Sequence, residues 1–230
     1  MADIRQTGAL DLFDRAAEDP LSGGGNWAGI NSNLKIVAPT RVQHSTGSGV
    51  LNVQQSYWTP ETYTADSAGG VEVWGYPGIG GNFGEGWLLG LYSDITAATL
   101  TGYSARWSEE IGDNAIQIRK WTSGANSVLL DERSFGNLQP NFGGGGGLSV
   151  MLFRTNGAAL EVWASFNSGA NWAMYATVND STYRSNLFLA FGLNGPPEWQ
   201  GFGGGHAIWF PEFIRRPWRY WGHDIDNQNL

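Results

Sequence analysis

Tyr103, Ala105 and Trp107 fall on one phase of a two-residue repeat, and Ser104 and Arg106 fall on the other. Alternation of this kind predicts a strand with one packed face and one wet face. The same repeat sets Ile116 and Ile118 against Gln117, Arg119 and Trp121. It also sets Leu160, Val162, Ala164 and Phe166 against Glu161 and Trp163. Short alternating or β-branched runs predict strands at 34–36, 50–57, 70–74, 87–92, 102–107, 115–121, 127–133, 148–153, 159–166, 172–178, 187–193 and 207–213. Gly, Asn, Ser and Pro punctuate them. Only 10–17 predicts a helical turn. Half-buried strands in this number stack as two antiparallel sheets, so the expected fold class is all-β.

Composition sharpens the picture. The 230 residues fit one large β domain or two small ones; nothing in the middle reads as a linker, so one is expected, and no disulfide is needed at that size. Cys is absent, which excludes thiolate metal sites and Cys nucleophiles. The net charge of −8 argues against nucleic-acid backbone binding and suits a soluble particle surface. The opening residues 1–6 carry no signal-peptide pattern, and apolar runs such as 187–193 are too short to span a bilayer. An extracellular role would then require release by lysis or within an assembly. Gly-rich patches at 78–86, 143–147 and 201–205 read as loops between strands, or as bare backbone where a ligand or chain approaches closely. None has the form of a phosphate loop.

Catalytic patterns are missing. His44, His206 and His223 are far apart and form no HExxH, and there is no GxSxG elbow. The carboxylates Glu72, Glu109, Glu110, Asp113, Asp131, Glu132 and Glu161 show no E-x-D-x-E strand of the kind that pairs acids in sandwich glycosidases. The expectation is a non-enzymatic protein with no cofactor and no metal. Asp224 to Asn227 lacks the Gly and Glu of a calcium loop and reads as a polar tail. The sequon at 179–181 carries no weight without a secretion signal.

Trp is the more informative residue, with 12 copies. Indoles dock the C–H faces of sugars and are also enriched at subunit interfaces. Trp27, Trp58, Trp107 and Trp172 read as core. Trp74, Trp121, Trp163 and Tyr175 take the opposite phase with Arg106 and Glu161 as company, and form the candidate ligand surface if one sheet carries them together.

The segment D-x-F-x-R-A…P-L…N-W at 11–27 resembles the opening of concanavalin A/laminin-G-like jelly-roll domains of bacteriophage minor tail proteins. Further motifs follow in order: Tyr57-Trp58, Gly102-Tyr103-Ser104-Ala105, Ile116–Arg119 then Leu129-Leu130, Leu148–Leu152, Leu160–Val162 and the V-x-D-x-x-Y turn at 178–183. The resemblance spans 10–213. It implies a two-sheet antiparallel jelly-roll sandwich, concanavalin A-like, with a lectin-like domain over 1–213. It implies a virion component assembled in the host cytoplasm, with other tail proteins as partners and host cell-wall glycan as a contact. A free bacterial carbohydrate-binding module and, from another class, a glycoside hydrolase or lyase are the alternatives. Asp11, Asp14 and Arg15 would then clasp the first turn, with Phe13, Leu21 and Trp27 entering the core. The Gly insertions at 78–86 and 143–147 depart from the family. So does a C-terminal tail over 214–230, in which Arg215, Arg216, Trp218, Arg219, Tyr220 and Trp221 form an expected interface with a second copy or another tail protein.

Overall fold

The computed structural model describes residues 8–11, 13–29, 34–37, 41–44, 54–65, 70–77, 85–95, 99–110, 113–124, 127–134, 150–165, 172–194 and 199–206. Among them the fold is all-β: a two-sheet antiparallel jelly-roll sandwich. The strands are β1 (Gly8–Asp11), β2 (Trp27–Gly29), β3 (Leu34–Val37), β4 (Arg41–His44), β5 (Gln54–Trp58), β6 (Val71–Pro77), β7 (Glu85–Ile95) and β8 (Leu100–Glu110). They continue as β9 (Asp113–Gly124), β10 (Ser127–Ser134), β11 (Val150–Asn156), β12 (Ala159–Ser165), β13 (Ala173–Asn179), β14 (Phe188–Asn194) and β15 (Trp199–His206).

One sheet, A, runs β13-β12-β11-β6-β15-β4-β3, with β1 also paired to β15. The other, B, runs β10-β9-β8-β7-β14-β5-β2. Every pairing is antiparallel. The meander β7 to β10 builds half of sheet B, and β11 to β13 builds one side of sheet A. The expected alternation decides which side chains meet between the sheets. Val71, Val73, Met151, Phe153, Leu160 and Val162 come from A; Trp87, Leu89, Tyr103, Trp107, Ile116 and Ile118 come from B. Trp27 and Trp107 are buried in this core, and Trp58 packs against it, as their phase predicts. Trp172 is half-buried just ahead of β13.

Three expectations are corrected. The segment 10–17 holds no helix: β1 occupies its start, and bends follow Phe13. The Gly patch at 201–205 is strand rather than loop, inside β15 and hydrogen-bonded to β6. Its glycines are a packing requirement. A Cβ on Gly203 would stand 2.2 Å from the Trp74 ring, and one on Gly204 would stand 2.7 Å from Leu189. The third concerns the opening clasp. Asp11 accepts from the Phe13 amide (2.7 Å), from Arg15 Nη1 (2.6 and 2.8 Å) and from the Trp27 indole (2.7 Å). Arg15 also donates to Glu18, which accepts from the Ser22 hydroxyl as well. Asp14 is exposed and takes no part. Phe13 adopts a left-handed φ of 55° there, which aims its ring at Trp27 and Phe191 in the core. The expected strand at 207–213, the Gly patch at 143–147 and the interface residues Arg215, Arg216, Trp218, Arg219, Tyr220 and Trp221 lie outside the described residues.

Candidate functional site

Each sheet turns one face away from the core, and the sequence-predicted site residues divide between the two. On sheet A, Trp74 of β6, Leu152 of β11 and Trp163 of β12 stand side by side across three strands. The next row is Glu72, Arg154 and Glu161. Its polar groups are saturated. Arg154 donates to Glu161 through Nε (2.8 Å) and Nη2 (2.7 Å), Asn156 donates at 2.9 Å, and the Trp163 indole donates at 2.8 Å. Burial alone would raise the Glu161 pKa; the hydrogen bonds from Trp163, Asn156 and Arg154, with the Arg154 charge, override it and hold the carboxyl below its ordinary range. Arg154 also lies 5.6 Å from the centre of the Trp163 ring. This is a closed network in which Arg154, Asn156 and Trp163 all donate to one carboxylate.

Sheet B presents a different surface. Its outward residues run in rows set by register. Trp121, Gly102, Tyr92 and Phe188 form one row. Arg119, Ser104, Gly90, Ala190 and Tyr57 form the next, and Gln117, Arg106, Leu88, Gly192 and Gln55 the third. The absence of a side chain at Gly90 lets the Tyr92 ring lie down. A Cβ on Gly90 would be 2.3 Å from the Tyr92 ring, so that ring covers Gly90 and delivers its hydroxyl to Gln55 Oε1 at 2.7 Å. Burial drives the Tyr92 hydroxyl well above the ordinary tyrosine range, so it stays a neutral donor. The Trp121 indole N–H reaches diagonally to Ser104 Oγ on β8 at 2.9 Å. An indole tethered to the sheet it stands on lies along that sheet, and Trp121 keeps part of its surface open. Beside it runs a polar ladder. Arg119 Nε donates to Gln117 Oε1 (2.8 Å), Arg119 Nη1 to Ser127 Oγ (3.0 Å), and Gln117 Nε2 to Glu132 (2.5 Å). Arg106 is half-buried next to Gln117.

The expectation of one shared outer face is therefore corrected. Trp74 and Trp163 belong to sheet A, and Arg106 and Trp121 to sheet B. Tyr175 belongs to neither face. A bulge opposite Val162 and Trp163 inserts it as an extra residue of β13, and it turns against Trp107 of the core (ring centres 6.4 Å apart) and Arg133. Arg119 stands half-buried beside Trp121 on sheet B, with Ser104 and Tyr92 fully buried beneath them. The alternation 117–119–121 already places Arg119 beside Trp121; Tyr92 and Ser104 carry no distinguishing signal until the register is known.

Trp121, Arg119 and Arg106 keep part of their side chains open on this face, over Tyr92 and Ser104, which are fully buried, and Gln55 and Gln117, which are nearly so. Among the described residues no group of three His, Asp or Glu side chains is placed to hold a metal ion.

No protein-family model matches this chain, and no curated protein does. Solved structures do. The exoplasmic/lumenal domain of VIP36 in its Ca2+/Man2-bound form superimposes with a TM-score of 0.64 at 10% identity, over 89% of this chain and 89% of that one. A legume lectin-like domain from Entamoeba histolytica gives 0.58 at 14% identity, over 83% and 96%. The carbohydrate recognition domain of Emp47p gives 0.57 at 10% identity, over 88% and 96%. At such identities the likeness establishes the fold: a concanavalin A-like, legume-lectin-like sandwich.

Proposed function

We propose that this chain is a non-enzymatic saccharide-binding domain, and that its binding surface is the outward face of sheet B around Trp121. The observation that carries the reading is the Trp121 to Ser104 hydrogen bond, which fixes a partly open indole on sheet B beside the half-buried Arg119. A pyranose stacks its C–H face on such a ring, and neighbouring side chains supply directional hydrogen bonds to its hydroxyls. The lectin fold of the neighbours agrees with this. The non-enzymatic part is supported by the lectin fold of the structural neighbours and by Glu161, whose carboxylate is fully engaged by Trp163, Asn156 and Arg154. A free carbohydrate-binding module satisfies these observations in full. The virion setting, with tail proteins as partners and host cell-wall glycan as the contact, rests on the sequence resemblance and is tested by copurification with particles.

The direct test titrates glycan fragments from bacterial cell walls against the wild-type chain, Trp121→Ala and Trp163→Ala. The expected result is affinity lowered about tenfold or more by Trp121→Ala, and little changed by Trp163→Ala. Binding that survives Trp121→Ala and is lost in Trp163→Ala would transfer the site to sheet A.

A further inference from the structure

Resting on that reading, we infer that the saccharide bound beside Trp121 is acidic, and that Arg119 receives its carboxylate. Arg119 differs from other cations of the fold. Arg15, Lys120 and Arg154 each touch a carboxylate at 2.6 to 2.8 Å. Arg119 is also partly buried, yet its partners are the amide oxygen of Gln117 and the hydroxyl of Ser127, both neutral. They consume Nε and Nη1 and fix the plane of the fork. Nη2 makes no hydrogen bond or ion pair among the described residues. A positioned guanidinium with an open edge and no carboxylate against it is matched in shape and charge by a planar carboxylate.

Position adds to this. Arg119 stands two residues from Trp121 on the same face of β9, one side-chain repeat of about 7 Å along the strand. That is close to the width of one sugar ring, so a ring stacked on the indole brings a substituent to the guanidinium. Arg106 lies diagonally across on β8, at the usual diagonal Cα spacing of about 7–8 Å, and adds a second positive charge to the same surface. Glu132, opposite Gln117 on β10, accepts from the Gln117 amide and not from Arg119. Arg119 has no carboxylate at ion-pair distance among the described residues, which is what recognition of an acidic sugar requires.

The test uses pairs of oligosaccharides that differ only in oxidation at C6, uronate against neutral, with a sulfated analogue of the neutral member as a third arm. The wild-type chain is expected to bind the uronate at least about tenfold more tightly than its neutral partner, the size of one charge-assisted hydrogen bond. Arg119→Gln should abolish that preference, and Arg119→Lys should restore part of it. Glu132→Gln, which removes a nearby negative charge from an exposed edge, should tighten uronate binding. It also separates electrostatics from any misfolding in the Arg119 variants. Equal affinity within the pairs, or a preference untouched by Arg119→Gln, overturns the inference and leaves the saccharide-binding reading standing. Tighter binding of the sulfated arm overturns the carboxylate assignment. Binding of no member overturns both readings.

Discussion

Lys120 of β9 and Asp180, in the turn after β13, meet at 2.8 Å and so tie sheet B to sheet A at one end of the sandwich. Asp180 also accepts from the Tyr103 hydroxyl (2.5 Å) and from the Thr182 amide (2.9 Å). Burial, followed by the Asp180 hydrogen bond, raises the Tyr103 hydroxyl to about 12. It therefore remains a donor at any pH the protein meets.

Asp180→Asn should cost about 1–3 kcal/mol, because Lys120 is left without its charge partner and one acceptor becomes a donor. A chemical denaturation curve measures this. Burial acts to raise the Asp180 pKa, but the hydrogen bonds from Lys120, Tyr103 and Thr182 outweigh it and depress the value strongly. The unfolded chain then binds its proton first as pH falls. The stabilisation is present in full above the ordinary carboxylate range, near pH 4, and is lost as pH drops below it towards the folded-state value. Wild type should lose its stability advantage over Asp180→Asn in that acidic window; a constant difference between pH 7 and pH 2 would contradict the assignment.

Arg15→Ala should lower stability by about 1–2 kcal/mol, since Asp11 and Glu18 lose their shared cation. Asp14→Ala should lie within about 0.5 kcal/mol of wild type, as an exposed change outside the network. Thermal melts of the two variants side by side distinguish them.

Gly203→Ala should destabilise by about 1–3 kcal/mol, because the new methyl meets the Trp74 ring. The cost should shrink in a Trp74→Ala background, and a double-mutant cycle reads the coupling.

Tyr175→Ala should lower the melting temperature through loss of its contact with Trp107, without weakening saccharide binding to sheet B. A selective loss of binding with an unchanged melt would return Tyr175 to the ligand surface.

The long strands were legible because alternation records burial directly. Tyr103 and Trp107 had to face the core once Ser104 and Arg106 faced away. The strand β15 was not legible, since a run of glycines has no side-chain phase to read; its strand character comes from the rings that press on it. Phase within a strand also says nothing of which sheet the strand joins. That is why Trp74 and Trp121, alike in phase, lie on opposite faces of the molecule. Tyr175 was misread because one extra residue in a bulge inverts the phase of everything on one side of it. At the opening turn, i to i+4 and i to i+3 pairings placed Asp11 and Glu18 on Arg15, and Asp14, its immediate neighbour, points elsewhere.

The pairing of β1 with β15 sets Gly8 opposite Gly205. Among the described residues the first and last strands are therefore neighbours on one sheet. Adjacent first and last strands are the geometry that lets a domain be inserted into a host loop or circularly permuted.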